Sequence, residues 1–143
     1  ITTIVEAAAA DCIYRSATEN KLVAVGGELS TIMAGLACGE ANTISWEILK
    51  NYSSFFVSAP DWVSAKGMRV LGAPLQGDKR VISGESGAVP AGLVSALLEN
   101  SEYGELRDAL GLNKDSVVLL FSTEGDTDPE QYRRIVWNGE YTA

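Results

Sequence analysis

Residues 117–121, Val-Val-Leu-Leu-Phe, form an unbroken apolar run that stops at Ser122, and Thr123-Glu124-Gly125-Asp126-Thr127-Asp128-Pro129 follows as a turn and a helix start. Five apolar residues without alternation leave no polar face for water. The run therefore predicts a strand buried on both faces, as in the parallel sheet of an α/β protein. Ligands in such sheets bind beyond the carboxyl ends of the strands. Ser122 is the first polar side chain past the run and faces that expected site; its alternative role is that of a turn residue.

Two further strands are predicted, over Ile1 to Val5 and Ser54 to Val57. Helical stretches separate the three, which favours an α/β fold with a doubly wound, mostly parallel sheet and helices on both faces. Ser30 is expected to cap a helix that holds Ile32, Met33 and Leu36 and ends near Gly39. Thr43 starts another through Ile44, Trp46, Ile48 and Leu49. Pro60-Asp61 introduces a helix over Trp62 to Leu71 with Val63, Gly67, Val70 and Leu71 on one face. Pro90 suits an early helical position, and Leu93, Val94, Leu97 and Leu98 then make an apolar stripe. Ser101 begins a short helix closed by Gly111, and Asp128-Pro129-Glu130-Gln131 reads as a cap, a first-position proline and a third-position Gln opening a helix through Tyr132, Ile135 and Val136.

The chain's 143 residues, 46% hydrophobic, suffice for one domain with a substantial core. A formal charge of −8 with no basic run argues against nucleic acid or an anionic membrane surface as partner. No apolar stretch approaches the ~20 residues that cross a bilayer. Ile1-Thr2-Thr3-Ile4-Val5 lacks the charged start and long apolar region of a secretory signal. A cytoplasmic protein is expected, and one opening on a strand already under way reads as a piece of a longer chain.

The absence of histidine removes Ser–His and Cys–His catalysis and most zinc sites. Cys12 and Cys38 have no neighbouring ligands for a metal; they flank the Gly26-Gly27 turn and are expected as reduced thiols within bridging distance of each other. Trp46, Trp62, Phe55 and Phe56 are expected in the core or a subunit interface. Gly84-x-x-Gly87 is a weak match to a phosphate cradle, because no Lys-Ser/Thr pair follows and Glu85 would repel the anion.

A second segment, Arg80-Val81-Ile82-Ser83-Gly84-Glu85-Ser86-Gly87-Ala88-Val89-Pro90-Ala91-Gly92, precedes the apolar run. In this order the two segments resemble the C-terminal part of pyridoxal-phosphate enzymes of the tryptophan synthase β-subunit fold type (fold type II). The likeness is greater to one family within it, the diaminopropionate ammonia-lyases. It is carried by Thr31 to Glu40 (TIMAGLACGE), by Ile82 to Ala88 (ISGESGA), and by Phe121 to Pro129 (FSTEGDTDP) with Tyr132 and Arg133, and it extends to Val5-Glu6 and Ala10-Asp11-Cys12. Ala41 departs from the pattern, where a proline is expected.

The resemblance implies that residues 1–143 are the C-terminal segment of the pyridoxal-phosphate-binding large domain, the N-terminal part being absent. It implies Ser122 at the pyridine nitrogen of pyridoxal 5'-phosphate, with Thr123 a poorer second, and Glu85 at the ring's edge or ordering the turn. A helix-start acid favourable to the dipole is the other reading of Glu85. It implies α,β-elimination of 2,3-diaminopropionate to pyruvate and ammonia, in amino-acid catabolism, by a homodimer. Covalent attachment of the cofactor needs a lysine in a Ser-x-x-Lys-like context, and Lys21, Lys50, Lys66, Lys79 and Lys114 lack it. The segment alone is therefore expected to be inactive, no residue in it being catalytic and none binding a metal. The competing reading is a stand-alone, non-catalytic α/β binding or interaction module.

Overall fold

β1 (Thr3–Ala7) and β2 (Phe55–Ala59) pair in parallel, Thr3 opposite Phe55 and Ala7 opposite Ala59. Parallel neighbours need a long crossover, and here it contains α1 (Cys12–Glu19) and α2 (Thr43–Tyr52). The computed structural model describes residues 1–143. They divide into two compact units, Ile1–Asp61 and Trp62–Ala143.

In the first unit the sequence expectations miss α1. Its only strongly apolar residue, Ile13, gives no stripe to read, and its start is capped from a distance. Glu6, on β1, accepts the backbone N–H groups of Ile13 (3.1 Å) and Tyr14 (2.7 Å), which the helix itself cannot use. Asp11 is buried and accepts instead from Arg15 Nε (2.7 Å) and Ser58 Oγ (2.8 Å). Burial outweighs the two backbone hydrogen bonds and, with Asp11 nearby, holds the Glu6 carboxyl above the ordinary glutamate range. Cys12, Ile13 and Trp46 form one buried cluster, with Ile4, Val25, Leu49 and Phe56 packed on it, and Ala7, Met33 and Ala59 are buried as well. α2 begins at Thr43 as expected, because Asn42 accepts from the N–H groups of Ile44 and Ser45, both at 3.0 Å.

The helix expected after Ser30 does not form; only a single 3-10 turn, Ala34–Leu36, appears. Asp61 draws the segment away from helical bonding, accepting from Thr31 Oγ1 (2.5 Å) and Ile32 N (3.2 Å), while Met33 N donates to Thr31 Oγ1 (3.1 Å). Gly39 is held where a Cβ would lie 2.2 Å from the Val25 carbonyl oxygen. Neither thiol is in a disulfide. Cys12 is buried, Cys38 is exposed, and Cys12 Sγ lies 3.4 Å from the Cys38 carbonyl oxygen.

In the second unit, α3 (Asp61–Gly72) and α4 (Glu85–Glu99) cross at two glycines. A Cβ on Gly67 would stand 2.0 Å from the Ala88 carbonyl oxygen, and one on Gly92 would stand 1.8 Å from that of Val63, so the backbones touch. Ser64 Oγ donates to the Glu85 carbonyl at 2.5 Å. α4 begins at Glu85, so Pro90 lies inside the helix rather than in its first turn. Proline cannot donate to the carbonyl four residues back, and burial of Ala88, Val89 and Ala91 around it holds the helix together. A 3-10 turn (Ser101–Tyr103) capped by Asn100, not by Ser101, leads into α5 (Gly104–Ala109), and Gly111 at φ +65° ends it. α6 (Pro129–Val136) is capped as expected by Asp128, which accepts from Gln131 N at 2.9 Å. Tyr132 and Ile135 are its buried face, and Arg69 from α3 donates to the carbonyls of Ile135, Glu140 and Tyr141.

The strand expected over Val117 to Phe121 is not formed. The segment is extended and unpaired, and all five side chains are exposed, Val117 at 99%. A strand exists only through the hydrogen-bond ladder of a neighbour, and no other segment of this chain pairs with residues 117–121. The parallel pairing expected of the fold is present, but between β1 and β2 alone.

Candidate functional site

Two short segments of the second unit share one pattern, apolar-Ser-x-Glu: Ile82-Ser83-Gly84-Glu85 and Phe121-Ser122-Thr123-Glu124. Each apolar approach ends at a serine, and the two serine hydroxyls meet at 2.7 Å. Ser83 is 1% exposed, whereas Ser122 stands at the surface. Ser122 Oγ also lies 3.4 Å from the Glu124 carbonyl oxygen, and Ser83 Oγ lies 3.2 Å from that of Gly84.

Glu124 locks the second segment onto the start of α4. Its Oε1 accepts the Gly87 N–H at 3.0 Å, and its backbone carbonyl accepts the Gly84 N–H at 3.2 Å. A carboxylate at the positive end of a helix is electrostatically favoured there. The two glycines of Gly84-x-x-Gly87 serve close approach rather than a phosphate. A Cβ on Gly84 would lie 2.6 Å from the Gly125 carbonyl oxygen, and one on Gly87 would lie 2.7 Å from Ser83 Oγ and 3.0 Å from Ser122 Oγ.

Of the residues singled out from sequence, Ser122 and Glu85 belong to segments that this arrangement brings together. Glu85 opens α4 and is half-buried; burial, then the charges of Glu124 and Asp128, raise its carboxyl above the ordinary range against the pull of its own backbone N–H. Thr123 is exposed; only its backbone N approaches the pair, 3.4 Å from where a Gly87 Cβ would be. Sequence reasoning misses Ser83 and Glu124. The repeated apolar-Ser-x-Glu pattern is the signal that could have found both.

A separate groove of about 330 Å³ in this unit is lined by Arg80, Ile82, Asp126, Tyr132, Arg133 and Trp137, and contains none of the expected site residues. Four of the five lysines are in ion pairs: Lys21 with Glu19, Lys50 with Glu47, Lys66 with Glu99 and Lys114 with Asp115. No three His, Cys, Asp or Glu side chains are grouped to hold a metal ion, and no helix is long and apolar enough to cross a membrane. What the serine pair offers chemically is one accessible neutral hydroxyl, able to donate or accept, with a second buried hydroxyl behind it.

No protein-family model matches the chain. It is 54% identical over 140 residues to the diaminopropionate ammonia-lyase of Escherichia coli (strain K12), covering 98% of this chain and 35% of that enzyme. To the diaminopropionate ammonia-lyase of Salmonella typhimurium (strain LT2) it is 50% identical over 139 residues, covering 95% of this chain and 34% of the relative. The chain thus spans about a third of the length of the curated relatives it matches. The crystal structure of the Escherichia coli enzyme in complex with an aminoacrylate–PLP azomethine reaction intermediate superposes with a TM-score of 0.90 at 51% identity, covering 98% of this chain and 35% of that one. Maize serine racemase, at 20% identity, superposes with a TM-score of 0.56 over 72% of this chain and 30% of its own, and shares the α/β fold.

Proposed function

Because the chain is similar to diaminopropionate ammonia-lyases along 98% of its length, we propose that it is the C-terminal segment of the large domain of a pyridoxal-phosphate-dependent carbon–nitrogen lyase. The complete enzyme removes the α-proton and the β-amino group of 2,3-diaminopropionate, and water then displaces the α-amino group, so that one pyruvate and two ammonia form. Ser122 holds the pyridine nitrogen of the cofactor, Glu85 lies toward the ring's edge, and Thr123 is the lesser candidate. The lysine that attaches the cofactor, the phosphate-binding glycine loop and the acids that work with the lysine belong to the remaining N-terminal part. A cytoplasmic homodimer acting in amino-acid catabolism completes the reading.

The observation that carries it is the Ser122 hydroxyl, exposed at the end of an extended apolar approach and backed by Ser83 at 2.7 Å. These residues fit the group. A pyridine nitrogen needs one neutral partner with room beside it, and a serine hydroxyl can donate to it without holding it protonated as a carboxylate would. The nearby Glu124 carboxylate is engaged by the Gly87 N–H, and the Ser122 hydroxyl, though bonded to Ser83, is exposed at the surface with capacity for a further partner. When bound, the cofactor supplies the electron sink on which loss of the α-proton depends. With an unprotonated ring that sink is weaker, which suits an elimination whose leaving group departs at once. This chain's part is to bind and orient the ring, not to move the substrate's protons.

In the full-length enzyme, Ser122→Ala should weaken cofactor binding several-fold, on the scale of the ~1 kcal/mol a hydrogen bond contributes. Ser122→Asp should change the absorption of the bound cofactor more than its affinity. Wild-type affinity, spectrum and elimination rate in both variants would make Ser122 a turn residue and overturn the assignment.

A further inference from the structure

Resting on the reading of Ser122 as the ring contact, we propose that Ser83 is a positioning residue that fixes which way the Ser122 hydroxyl points its proton. Ser83 is 1% exposed, and its Oγ lies 2.7 Å from Ser122 Oγ and 3.2 Å from the Gly84 carbonyl oxygen. Ser122 Oγ has one further neighbour in reach, the Glu124 carbonyl oxygen at 3.4 Å. Gly87 leaves the space that lets the hydroxyls touch, since a Cβ there would lie 2.7 Å and 3.0 Å from them.

Each hydroxyl has one proton and two lone pairs. If Ser122 gives its proton to the ring nitrogen, it can meet Ser83 only as an acceptor, so Ser83 donates. That order, Ser83 to Ser122 to ring, moves the Ser83 proton from the Gly84 carbonyl at 3.2 Å to the nearer Ser122 Oγ at 2.7 Å and polarises the outer hydroxyl, and chained hydrogen bonds strengthen one another. Without the Ser83 donor, Ser122 is free to turn its proton to the Glu124 carbonyl and present the ring with a lone pair. A neutral ring nitrogen gains nothing from a lone pair. The buried serine thus selects the orientation that binds an unprotonated ring.

The test is a double-mutant cycle in the full-length holoenzyme with Ser83→Ala, Ser122→Ala and both together. It reads the dissociation constant of pyridoxal phosphate, the absorption maximum of the bound cofactor, and the melting temperature of the cofactor-free protein. Ser83→Ala should weaken the cofactor roughly three- to ten-fold and move the absorption maximum in the same direction as Ser122→Ala. The double variant should bind no more weakly than Ser122→Ala alone, because Ser83 acts through Ser122. If Ser83→Ala does not fold, Ser83→Cys, similar in size with a weak S–H donor, takes its place with the same expectations. Additive losses would overturn the proposal, as would a lowered melting temperature with wild-type cofactor affinity and spectrum. Should Ser122→Ala itself prove wild-type in affinity and spectrum, the ring-contact reading falls and this one with it. A deficit in Ser122→Ala beside a wild-type Ser83 variant removes only the present inference.

Discussion

At the scale of single residues, the site depends on what is missing from Gly87 as much as on what Ser122 carries. A methyl group there would overlap both hydroxyls, at 2.7 Å and 3.0 Å, so Gly87→Ala in the full-length enzyme should reduce cofactor affinity at least as much as Ser122→Ala. Titration of the cofactor-free enzyme with pyridoxal phosphate decides it, and unchanged affinity would show that the hydroxyl contact is dispensable. Glu85 makes a prediction about pH. Its folded-state carboxyl is raised by burial and by Glu124 and Asp128. Between the ordinary glutamate value and the raised one, the native state therefore holds more protons than the unfolded state, and stability falls as pH rises through that window. The penalty stays in place at neutral pH. Glu85→Gln should accordingly melt at a higher temperature than the parent near neutral pH, with the difference vanishing below about pH 4, where the unfolded carboxyl is protonated too. A variant that melts lower at neutral pH would refute the burial account.

At the scale of elements, α3 and α4 meet backbone to backbone, and the contact leaves no room for a side chain at Gly67 or Gly92. Forcing a methyl into a packed contact usually costs about 1–3 kcal/mol. With Cβ positions 2.0 Å and 1.8 Å from carbonyl oxygens, Gly67→Ala and Gly92→Ala should reach at least the upper end of that range in urea denaturation. Gly26→Ala, whose Cβ would meet nothing within 4 Å, is the control and should be close to neutral. The Asp128 cap on α6 is worth less. Asp128→Ala leaves the Gln131 N–H without its acceptor and should cost ~1 kcal/mol, read from the same denaturation curves.

At the scale of the whole molecule, the dominant feature is the extended segment at residues 117–121. Its apolar side chains are exposed and its backbone is unpaired. An exposed, unpaired apolar strand is a template for association. The 143-residue chain produced alone should bind an apolar dye and self-associate, and Val117→Thr with Leu119→Thr should reduce both. Light scattering and dye fluorescence follow this directly; a monodisperse chain that melts cooperatively would speak against the segment reading.

Local signals in the sequence determined the elements whose causes are local. Asp128-Pro129 placed α6, the apolar residues 44–49 placed α2, and the β-branched and aromatic residues of 1–5 and 54–57 marked the two strands, which the structure sets at 3–7 and 55–59. The sequence by itself also singled out Ser122, as the polar side chain that ends an apolar run. Tertiary structure decided what depends on a distant partner. Glu6 starts α1 from seven residues upstream of Ile13, and Asp61 keeps residues 31–33 out of a helix from about thirty residues away. Ser83 meets Ser122 across 39 positions. Such contacts are invisible to periodicity, because the partner's position in space is set by how the chain folds back and not by the spacing of like residues. The same reason explains the strand that did not form: apolar character marks what a segment can bury, but only a neighbour supplies the ladder that makes it a strand.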